Sequence, residues 1–384
     1  MPADASQHSA RLAEIRQEID AVDVDLLALL NRRAGLSLEV GRIKAASDGM
    51  IFKPLREREV LDKLAARNAG PLPEAHLRDI WREIFSSSRA LQRPQYVAYL
   101  GPEGTFSYFA GVEYLGHAAH FQPCRDLPEV FACVADGQCG LGVVPLENSL
   151  QGTVGVSFDL FFNYDVRIQA ELFLRISHCL LSNAAALAEV SVVYSHPQPL
   201  LQCGTWLRTH LPAARLVPVE STAAAALRAA DEKGAAAIGN ISLASMHNMR
   251  VLSRAIEDDP GNWTRFVIIS AQNASERPAP SPLPGPAGTA GKSSLLFTLP
   301  DKAGALSAVL DCMARADINM RKLESRPMRG ERWKYVFFAD VECDLEQPAY
   351  APVVEALRTL CTSFRILGAY PLGPQLDRVH LENT

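Results

Sequence analysis

Cationic and amide side chains lie along residues 16–92 at spacings that would gather them around an anion. Arg33 and Lys44 are eleven positions apart, which at about 100° per residue places them within about 20° of one helix face. Arg16 lies about 100° away from that face, so it would point elsewhere, for example toward a partner chain. Ser88 and Gln92 are four positions apart and share a face of a later helix. The pattern predicts a site for a small ligand with two negative charges.

The reason for this prediction is charge compensation. Buried cations on the inner face of a helix bundle need anions, and few acidic residues share the face of Arg33 and Lys44. Arg56 and Glu57 open the second predicted helix and add a further charged pair. The alternative is a solvated bundle in which these residues are ordinary surface charges, and the pattern alone favours that alternative.

Hydroxyl and amide side chains recur in short motifs of the middle segment. Taken singly, each has a structural explanation: Thr105 and Ser195 could cap helices, and a strand histidine such as His178 is typical of a packed core. Cys203 lacks a convincing histidine partner and is expected to be buried. The motifs are GPEGTFS (101–107), VVPLENSLQGTV (143–154), SHCLL (177–181), YSHPQPLLQC (194–203), EST (220–222) and NWTRF (262–266).

The elements that must position the first group are helices. Apolar residues recur at helical spacing over 11–46, prolines break the pattern, and helical patterns resume over 55–67 and 74–92. Residues 1–93 are therefore predicted to be all-helical. The first helix is too long to bury its apolar face within a three-helix unit, which favours a partner chain.

Beyond residue 93 the pattern changes twice. Short apolar runs alternate with Ala-rich helical stretches over 94–271, which predicts an α/β domain. Residues 272–291 are rich in Pro, Ala, Ser and Gly and predict a linker. Residues 292–384 follow the order βαββαβ, which is typical of a ferredoxin-like domain. Its predicted elements are strands over 294–299, 317–325, 333–342 and 364–370 and helices over 304–315 and 349–360.

Composition narrows the class of protein. The chain has 384 residues, enough for two or three domains of about 100–200 residues each. Lys and Arg number 38 and Asp and Glu 43, for a net charge of −5, so nothing in the charge favours a nucleic-acid partner. No apolar run approaches the roughly 18–20 residues of a membrane span, and the N-terminus lacks the apolar segment of a secretory signal.

Cysteine and glycine patterns narrow the chemistry. The eight cysteines include no Cys-x-x-Cys pair, which favours reduced thiols in a cytoplasmic protein over disulfides or a zinc site. No Gly-x-Gly-x-x-Gly follows a predicted strand, which argues against a nicotinamide cofactor. We therefore expect neither a metal nor a cofactor.

The helical segment resembles the helical chorismate mutase domain in its motifs IRQEID, LLALLNRRAGLSLEVGRIK, FKPLRERE and SRALQ. The resemblance implies an intertwined dimer in which Arg16 crosses to the other subunit's site. It also implies that chorismate is contacted by Arg16, Arg33, Lys44, Arg56, Glu57, Ser88 and Gln92. The rearrangement to prephenate is pericyclic, so the catalytic residues Arg33, Lys44 and Gln92 would stabilise charge, the last two at the ether oxygen. Lys53 departs from the family, many of whose members carry an acidic or other residue there.

The motifs of residues 94–271, in their order, resemble prephenate dehydratase, a family of two α/β lobes with a cleft similar to that of type II periplasmic binding proteins. The resemblance implies that Thr264 of the Thr-Arg-Phe motif is catalytic. It implies prephenate contacts from Thr105, Asn148, Ser149, Ser195, Gln202 and Arg265. The reaction expels the ring hydroxyl with decarboxylation to phenylpyruvate. A threonine hydroxyl is a very weak acid, so Thr264 is expected to hydrogen-bond the departing group or relay a proton.

The C-terminal segment resembles the ACT regulatory domain. GALS (304–307) and ESRP (324–327) match the phenylalanine-binding motifs of dehydratases, and the start of the helix at GALS would offer free N–H groups to a carboxylate. The alternative is a dimerisation module without a ligand. The resemblance implies contacts with phenylalanine from Gly304, Ala305, Leu306, Glu324, Ser325 and Arg326.

The order of the three segments resembles the bifunctional chorismate mutase–prephenate dehydratase family. It implies a homo-oligomeric enzyme that makes phenylpyruvate from chorismate and is inhibited by L-phenylalanine. One alternative is a mutase–prephenate dehydrogenase, which the missing nucleotide motif and the Thr-Arg-Phe motif disfavour. Another is a ligand sensor without catalysis, which the intact Thr264 and Asn148 disfavour.

Overall fold

The computed structural model describes residues 2–45, 51–272, 291–328 and 334–377. The predicted linker spans 272–291, and its residues 273–290 lie outside the described residues. The predicted pattern of an all-helical segment, an α/β segment and a βαββαβ segment is confirmed in this order.

Three helices form the N-terminal segment, as predicted: α1 (Pro2–Ala45), α2 (Pro54–Arg67) and α3 (Glu74–Gln92). Pro54 begins α2, where its fixed φ and missing N–H are tolerated. α1 packs against α3, and Gly41 permits the close approach, because a Cβ there would lie 3.0 Å from the Cα of Gln92.

Most apolar side chains of α1 remain exposed within the single chain. Val24 and Ile43 are each 67% exposed, and Val22 is 63% exposed. A stable helix normally buries its apolar stripe. α1 therefore carries an apolar surface that α2 and α3 leave uncovered.

The α/β segment begins with a first lobe built on a sheet of order β16-β5-β11-β3-β1-β2, with β4 paired to β3. Buried apolar strands form its centre, as expected of strands covered on both faces. The strands are β1 (Tyr96–Leu100), β2 (His120–Cys124), β3 (Leu141–Asn148), β4 (Gly152–Thr153), β5 (Val166–Arg175), β11 (Trp263–Ala271) and β16 (Gln375–Leu376). The helices of this lobe are α4 (Phe106–Leu115), α5 (Leu127–Ala135) and α6 (Gly155–Asn163).

The second lobe is a five-stranded sheet of order β10-β6-β9-β7-β8. The chain enters it from β5 into β6 and leaves it from β10 into β11, so two crossings connect the lobes. Its strands are β6 (Cys179–Ser182), β7 (Val192–Ser195), β8 (Arg215–Pro218), β9 (Ala235–Gly239) and β10 (Arg250–Ser253). Its helices are α7 (Pro197–Gln202), α8 (Gly204–His210), α9 (Thr222–Asp231) and α10 (Ser242–Met246).

The C-terminal segment is a four-stranded antiparallel sheet of order β13-β14-β12-β15, the ferredoxin-like arrangement that the sequence predicts. Its strands are β12 (Gly291–Thr298), β13 (Met320–Pro327), β14 (Tyr335–Val341) and β15 (Ser363–Pro371). Its helices are α11 (Ala305–Arg315) and α12 (Ala351–Leu360), which pack against each other.

The ferredoxin-like sheet packs directly on the first lobe. Phe338 of β14 meets Phe158 of α6 edge to face, with ring centroids 4.4 Å apart, and both side chains are buried. Past β15 the chain returns to the first lobe, where β16 pairs in parallel with β5. Arg58 of α2 donates to the carbonyl of Leu372 in the connecting segment, 2.9 Å away. This segment therefore touches all three parts of the fold.

Candidate active sites

The predicted chorismate site begins with Arg33, which projects from α1 toward α3. Its guanidinium donates to the hydroxyl of Ser88 and lies 5.5 Å from the ring centre of Phe85. Burial lowers the pKa of Arg33, and the Glu57 carboxylate raises it in part. The structure thus brings Arg33 and Ser88 together on the α1–α3 interface.

Lys44 lies eleven residues after Arg33 on α1, and its side chain is half-buried. Burial lowers the pKa of Lys44, and the nearby cation of Lys53 lowers it further. Two neighbouring ammonium groups repel each other, so an anion placed between them would be stabilised by both. Lys53, the residue that departs from the family pattern, therefore adds positive charge to the candidate site.

Gln92 approaches the same interface from α3. Its Nε2 donates to the backbone carbonyl of Ser88 at 3.1 Å, which leaves one of its two amide hydrogens for a further acceptor. Its Oε1 is buried and has no hydrogen-bond partner among the described residues. A buried polar atom without a partner is costly, so this amide is suited to a ligand.

The remaining predicted contacts are placed differently. Arg56 is exposed and pairs with Glu59 at 3.0 Å, and Arg16 is exposed on α1. Glu57 forms an ion pair with Arg89. Glu57 also lies near enough to Arg33 for its carboxylate to raise the pKa of that guanidinium. No described contact gathers Arg16 or Arg56 with Arg33 and Lys44 within the single chain.

Arg89 is a residue that the sequence analysis missed. Its side chain is 3% exposed, and it donates to the carboxylate of Glu57, to the carbonyl of Leu115 and, at 3.1 Å, to the Gln95 side chain. It thereby ties α2 and α3 to the end of α4. Its place beside Ser88 in the SRALQ motif was the available signal.

In the α/β segment, Thr264 and Asn148 are register partners on β11 and β3, and each is 8% exposed. The Nδ2 of Asn148 donates to the Thr264 hydroxyl oxygen at 3.0 Å and to the Oδ1 of Asn262 at 2.7 Å. Because the hydroxyl oxygen accepts this bond, the hydroxyl hydrogen of Thr264 is left to donate elsewhere.

Asn262 is a second residue that the sequence analysis did not single out, although it stands in the NWTRF motif. It is 1% exposed, and its Nδ2 has no hydrogen-bond partner among the described residues. It lies beside the Asn148 amide. This buried donor is therefore available to a ligand next to Thr264.

Ser149 and Thr105 have their hydroxyls occupied by the backbone. Ser149 donates to the carbonyl of Gly261 at 2.8 Å and accepts from the N–H of Trp263 at 2.9 Å, which holds the segment that leads into β11. Thr105 donates to the carbonyl of Leu100 at 2.9 Å and caps α4. These two predicted prephenate contacts thus have structural roles in the fold.

Ser195 and Gln202 belong to the second lobe. Ser195 is fully buried and donates to the carbonyl of Ile238 at 2.8 Å, so its hydroxyl faces the sheet. Gln202 Oε1 accepts from the Nε2 of His178 at 2.9 Å, and its Nε2 is buried without a partner among the described residues. Burial lowers the pKa of His178, which keeps the imidazole neutral. The expectation that His178 is a packed core residue holds, with a contact to Gln202 added.

Arg265 is not brought together with Thr264. Neighbouring strand residues point to opposite faces, and Arg265 is buried on the side of the ferredoxin-like sheet. It donates to Glu171 at 2.8 Å, to Asp340 at 2.6 Å and to the Tyr370 hydroxyl at 3.1 Å. The expectation that Arg265 contacts prephenate does not fit this placement, because two carboxylates already hold its guanidinium.

The predicted phenylalanine motifs lie on separate elements. Gly304 has φ +81° and precedes α11, beside a cavity of 480 Å³ lined by residues of 300–308 and 359–362. Residues 324–326 lie on the edge strand β13 and do not line that cavity. Ser325 is exposed, and Arg326 lies near Asp159 of α6, 3.9 Å away.

The cysteines and the possible metal ligands are the remaining candidates for further sites. None of the eight cysteines, all of which the structure describes, forms a disulfide. Burial raises the pKa of Cys203, which is fully buried as expected. Within residues 2–45, 51–272, 291–328 and 334–377, no group of three or more His, Cys, Asp and Glu side chains is arranged to hold a metal. In the same part of the chain no helix is long and apolar enough to cross a membrane.

Each of the three segments of the chain is similar to a known protein family. Residues 15–93 match the family model for chorismate mutase type II, residues 97–274 that for prephenate dehydratase and residues 293–359 that for the ACT domain. A bifunctional chorismate mutase/prephenate dehydratase of Aquifex aeolicus is 36% identical over 94% of this chain and 98% of its own length. The chain belongs to this family. As a bifunctional chorismate mutase/prephenate dehydratase it combines an isomerase and a lyase in one polypeptide, with an ACT domain.

Two solved structures add to the comparison. A prephenate dehydratase from Arthrobacter aurescens, solved in complex with L-Phe, is 29% identical with a TM-score of 0.62 over 72% of this chain and 89% of that one. A structure described as GqqA, a novel type of quorum quenching acylase, is 30% identical with a TM-score of 0.63 over 73% of this chain and 98% of that one. Both resemble the fold of nearly three quarters of this chain.

Proposed function

We propose that the chain rearranges chorismate to prephenate on its helical domain, converts prephenate to phenylpyruvate between its two α/β lobes, and is inhibited by L-phenylalanine at its ACT domain. The observation that carries this proposal is family membership over 94% of the chain, which spans both catalytic domains. The residue roles below are proposals drawn from the geometry.

In the mutase site, Arg33, Lys44 and Lys53 supply the positive charge that the two carboxylates of chorismate require. The rearrangement needs no nucleophile, so the site acts by holding a compact conformer and stabilising charge on the ether oxygen. Lys44 and the free amide hydrogen of Gln92 donate there. Arg89 acts as a positioning residue, because it holds Glu57 and with it the start of α2.

In the dehydratase site, the hydroxyl of Thr264 donates a hydrogen bond to the departing ring hydroxyl. Asn148 makes this possible by occupying the oxygen of Thr264 at 3.0 Å. The buried amide donors of Asn262 and Gln202 have no protein partner among the described residues, which suits the carboxylates of prephenate. Loss of carbon dioxide and aromatisation of the ring then supply the driving force.

A second copy of the chain completes both the mutase site and the phenylalanine site. The exposed apolar surface of α1 is the area that a partner would cover. The cavity beside Gly304 lacks the residues 324–326, and those residues lie on an edge strand. The complex of the Arthrobacter aurescens relative with L-Phe supports phenylalanine as the ligand. The biosynthetic role of the bacterial relatives supports a cytoplasmic location.

The test is incubation of the purified chain with chorismate, following chorismate loss and phenylpyruvate gain with and without L-phenylalanine. We expect both activities, with phenylpyruvate formation suppressed by phenylalanine. Formation of NADH from added NAD would favour the dehydrogenase alternative instead. Binding of prephenate without turnover would favour a sensor.

The amide of Gln92 leads to a prediction on pH. An amide does not titrate, whereas a glutamate at this position donates to the ether oxygen only when protonated. With an ordinary glutamate pKa of about 4.3, the protonated fraction grows about ten-fold for each pH unit below 7. We therefore expect a nearly flat mutase rate between pH 7 and 5 for the native chain and a steep rise toward acid for Gln92→Glu.

Rates of chorismate loss measured across this range check the prediction. A steep acid rise in the native chain that persists in Gln92→Ala would refute the role of the amide. Dehydratase rates with supplied prephenate serve as the control, because Gln92 belongs to the mutase domain.

The crossing of Arg16 to a partner subunit leads to a complementation prediction. Arg16→Ala and Arg33→Ala are each expected to lose most mutase activity, since each removes a charge from every site of a homodimer. Mixed dimers of the two variants would contain one site with both arginines intact. We expect co-refolded mixtures to regain up to about a quarter of native activity by random pairing, as half of the dimers are mixed and each has one of two sites.

Chorismate turnover of the separate and mixed variants, with sedimentation of each, checks this result. Activity in the mixture that equals the average of the two variants would show that Arg16 serves its own chain.

A further inference from the structure

Two residue pairs stand at consecutive register positions of β3 and β11. Thr264 is opposite Asn148, and Arg265 is opposite Glu147. The register irregularity of this strand pair falls between Arg265 and Phe266, beyond both positions. Since side chains alternate along a strand, the first pair faces the candidate dehydratase site and the second faces the opposite side of the sheet.

The ACT domain holds Arg265 through a buried charge cluster. Arg265 pairs with Asp340 of β14 at 2.6 Å and with Glu171 of β5 at 2.8 Å. Lys292 of β12 pairs with the same two carboxylates, at 2.9 Å to Glu171 and 3.2 Å to Asp340. All four side chains are at most 8% exposed. Two positive and two negative groups balance, which is the condition under which buried charges are tolerated.

The ACT domain also contacts Glu147, the residue of β3 that lies opposite Arg265. Lys322 of β13 pairs with Glu147 at 2.7 Å and lies 5.6 Å from the ring centre of Phe158. β13 is the strand that carries the residues 324–326 of the candidate phenylalanine site. Arg326, on the same face of β13 as Lys322, approaches α6 at Asp159.

These contacts restrict relative movement of the two domains. Separating the ACT sheet from the first lobe would break the contacts of Arg265 with Asp340 and of Lys292 with Glu171. Each unit would keep only one of the ion pairs of this buried cluster, which weakens the compensation that buried charges need. Burial alone would raise the pKa of Asp340, but the Arg265 and Lys292 cations outweigh burial and hold it below its ordinary value, so the carboxylate stays ionised. A shift of the ACT sheet is therefore passed to the strand positions next to Thr264 and Asn148.

We propose that the Arg265–Asp340 and Glu147–Lys322 ion pairs set the geometry of the Thr264–Asn148 hydrogen bond and carry the state of the ACT domain to the dehydratase site. Arg265, Asp340, Glu147 and Lys322 are positioning residues for dehydration. The regulatory half of this inference rests on the proposed inhibition by phenylalanine, while the positioning half stands without it.

The experiment uses the full-length chain with Asp340→Asn or Lys322→Gln. Each variant keeps the shape of the side chain approximately and removes one charge. We expect kcat for supplied prephenate to fall about ten-fold with KM changed less than two-fold, because the geometry of Thr264 matters in the transition state. We expect mutase rates to remain native. L-phenylalanine should still bind by calorimetry, with its inhibition weakened by about five-fold or more.

A matched control exists on the same interface. Glu346 of the ACT domain pairs with Arg167 of β5, whose register partner on β11 is Ser270, six residues from Thr264. Glu346→Gln removes an interdomain ion pair that is more exposed than Arg265–Asp340 but similar in burial to Lys322–Glu147, and we expect native kcat and native inhibition. Asp340→Glu restores the charge and should recover much of the loss.

The possible results test the positioning role and the regulatory role separately. If Asp340→Asn and Lys322→Gln both match Glu346→Gln, with native kcat and native inhibition, the inference is overturned. If Asp340→Asn does not fold, Lys322→Gln decides alone, since its ion pair lies at the rim of the interface. If the native chain is not inhibited by phenylalanine while both variants lose kcat, the proposed regulation fails and the positioning role stands.

Discussion

Thr264→Ala is expected to stop the conversion of prephenate to phenylpyruvate while chorismate is still consumed, so that prephenate accumulates. The hydroxyl is the group that donates a hydrogen bond to the departing ring oxygen, and removing one such donor from a transition state typically costs about 10²–10³-fold. The Asn148 amide directs that hydroxyl by donating to its oxygen at 3.0 Å. Chromatography of chorismate, prephenate and phenylpyruvate during one incubation measures all three species.

Two further substitutions separate hydroxyl chemistry from packing at this position. Thr264→Ser keeps the hydroxyl and should retain partial activity, whereas Thr264→Val keeps the shape and should be as inactive as Thr264→Ala. Native rates of phenylpyruvate formation in Thr264→Ala would mean that the residue is structural. The mutase rate, measured in parallel, reports whether each variant is folded.

Lys44→Ala is expected to lower mutase turnover by about 10²–10³-fold, the usual cost of removing a single electrostatic donor from a transition state. Burial and the neighbouring Lys53 both lower the pKa of Lys44, so its ammonium is poorly solvated and well suited to an anionic ligand. Dehydratase activity on supplied prephenate should survive, because no part of that site lies on α1.

The control for Lys44→Ala is Lys63→Ala, which removes an exposed lysine from α2. It should leave both activities native. Initial rates of chorismate loss compare the two variants. Near-native turnover in Lys44→Ala would show that this lysine has no role in the mutase reaction, and charge stabilisation would then be assigned to Arg33.

Local patterns predicted much of the fold. The spacing of apolar residues and the prolines predicted the three N-terminal helices, because helical periodicity and proline breaks are local signals that do not depend on what the helix packs against. Asn148 and Thr264 were predicted from motifs more than a hundred positions apart in the sequence, and the strand register places them side by side. Here the motif and the topology agree.

The placement of Arg265 was not predicted, although alternation along a strand was the available signal. A contiguous Thr-Arg-Phe motif suggests one site, but adjacent strand residues face opposite ways. What Arg265 meets on the far side depends on Asp340 and Glu171, which come from distant strands. Sequence spacing carries no information on such long-range pairs.

The docking of the ACT domain was equally hidden from the sequence. A Pro- and Gly-rich linker suggests an independent domain, whereas the two units share a packed interface that includes Phe158 and Phe338. The pairing of Glu57 with Arg89 was missed for a related reason, because both residues stand on helices whose mutual rotation the sequence leaves undetermined.

The return of the chain to β5 after the ACT domain has a consequence for attempts to build a feedback-resistant enzyme by deletion. β16 pairs with β5 at Phe173 and Leu174, and Gly368 of β15 lies against the carbonyl of Ile168. A fragment that ends after β11 would expose β5 as an open sheet edge, which favours aggregation, and would strip Arg265 of Asp340. Feedback resistance in this chain is therefore better sought by single substitutions on the ACT side than by shortening the polypeptide.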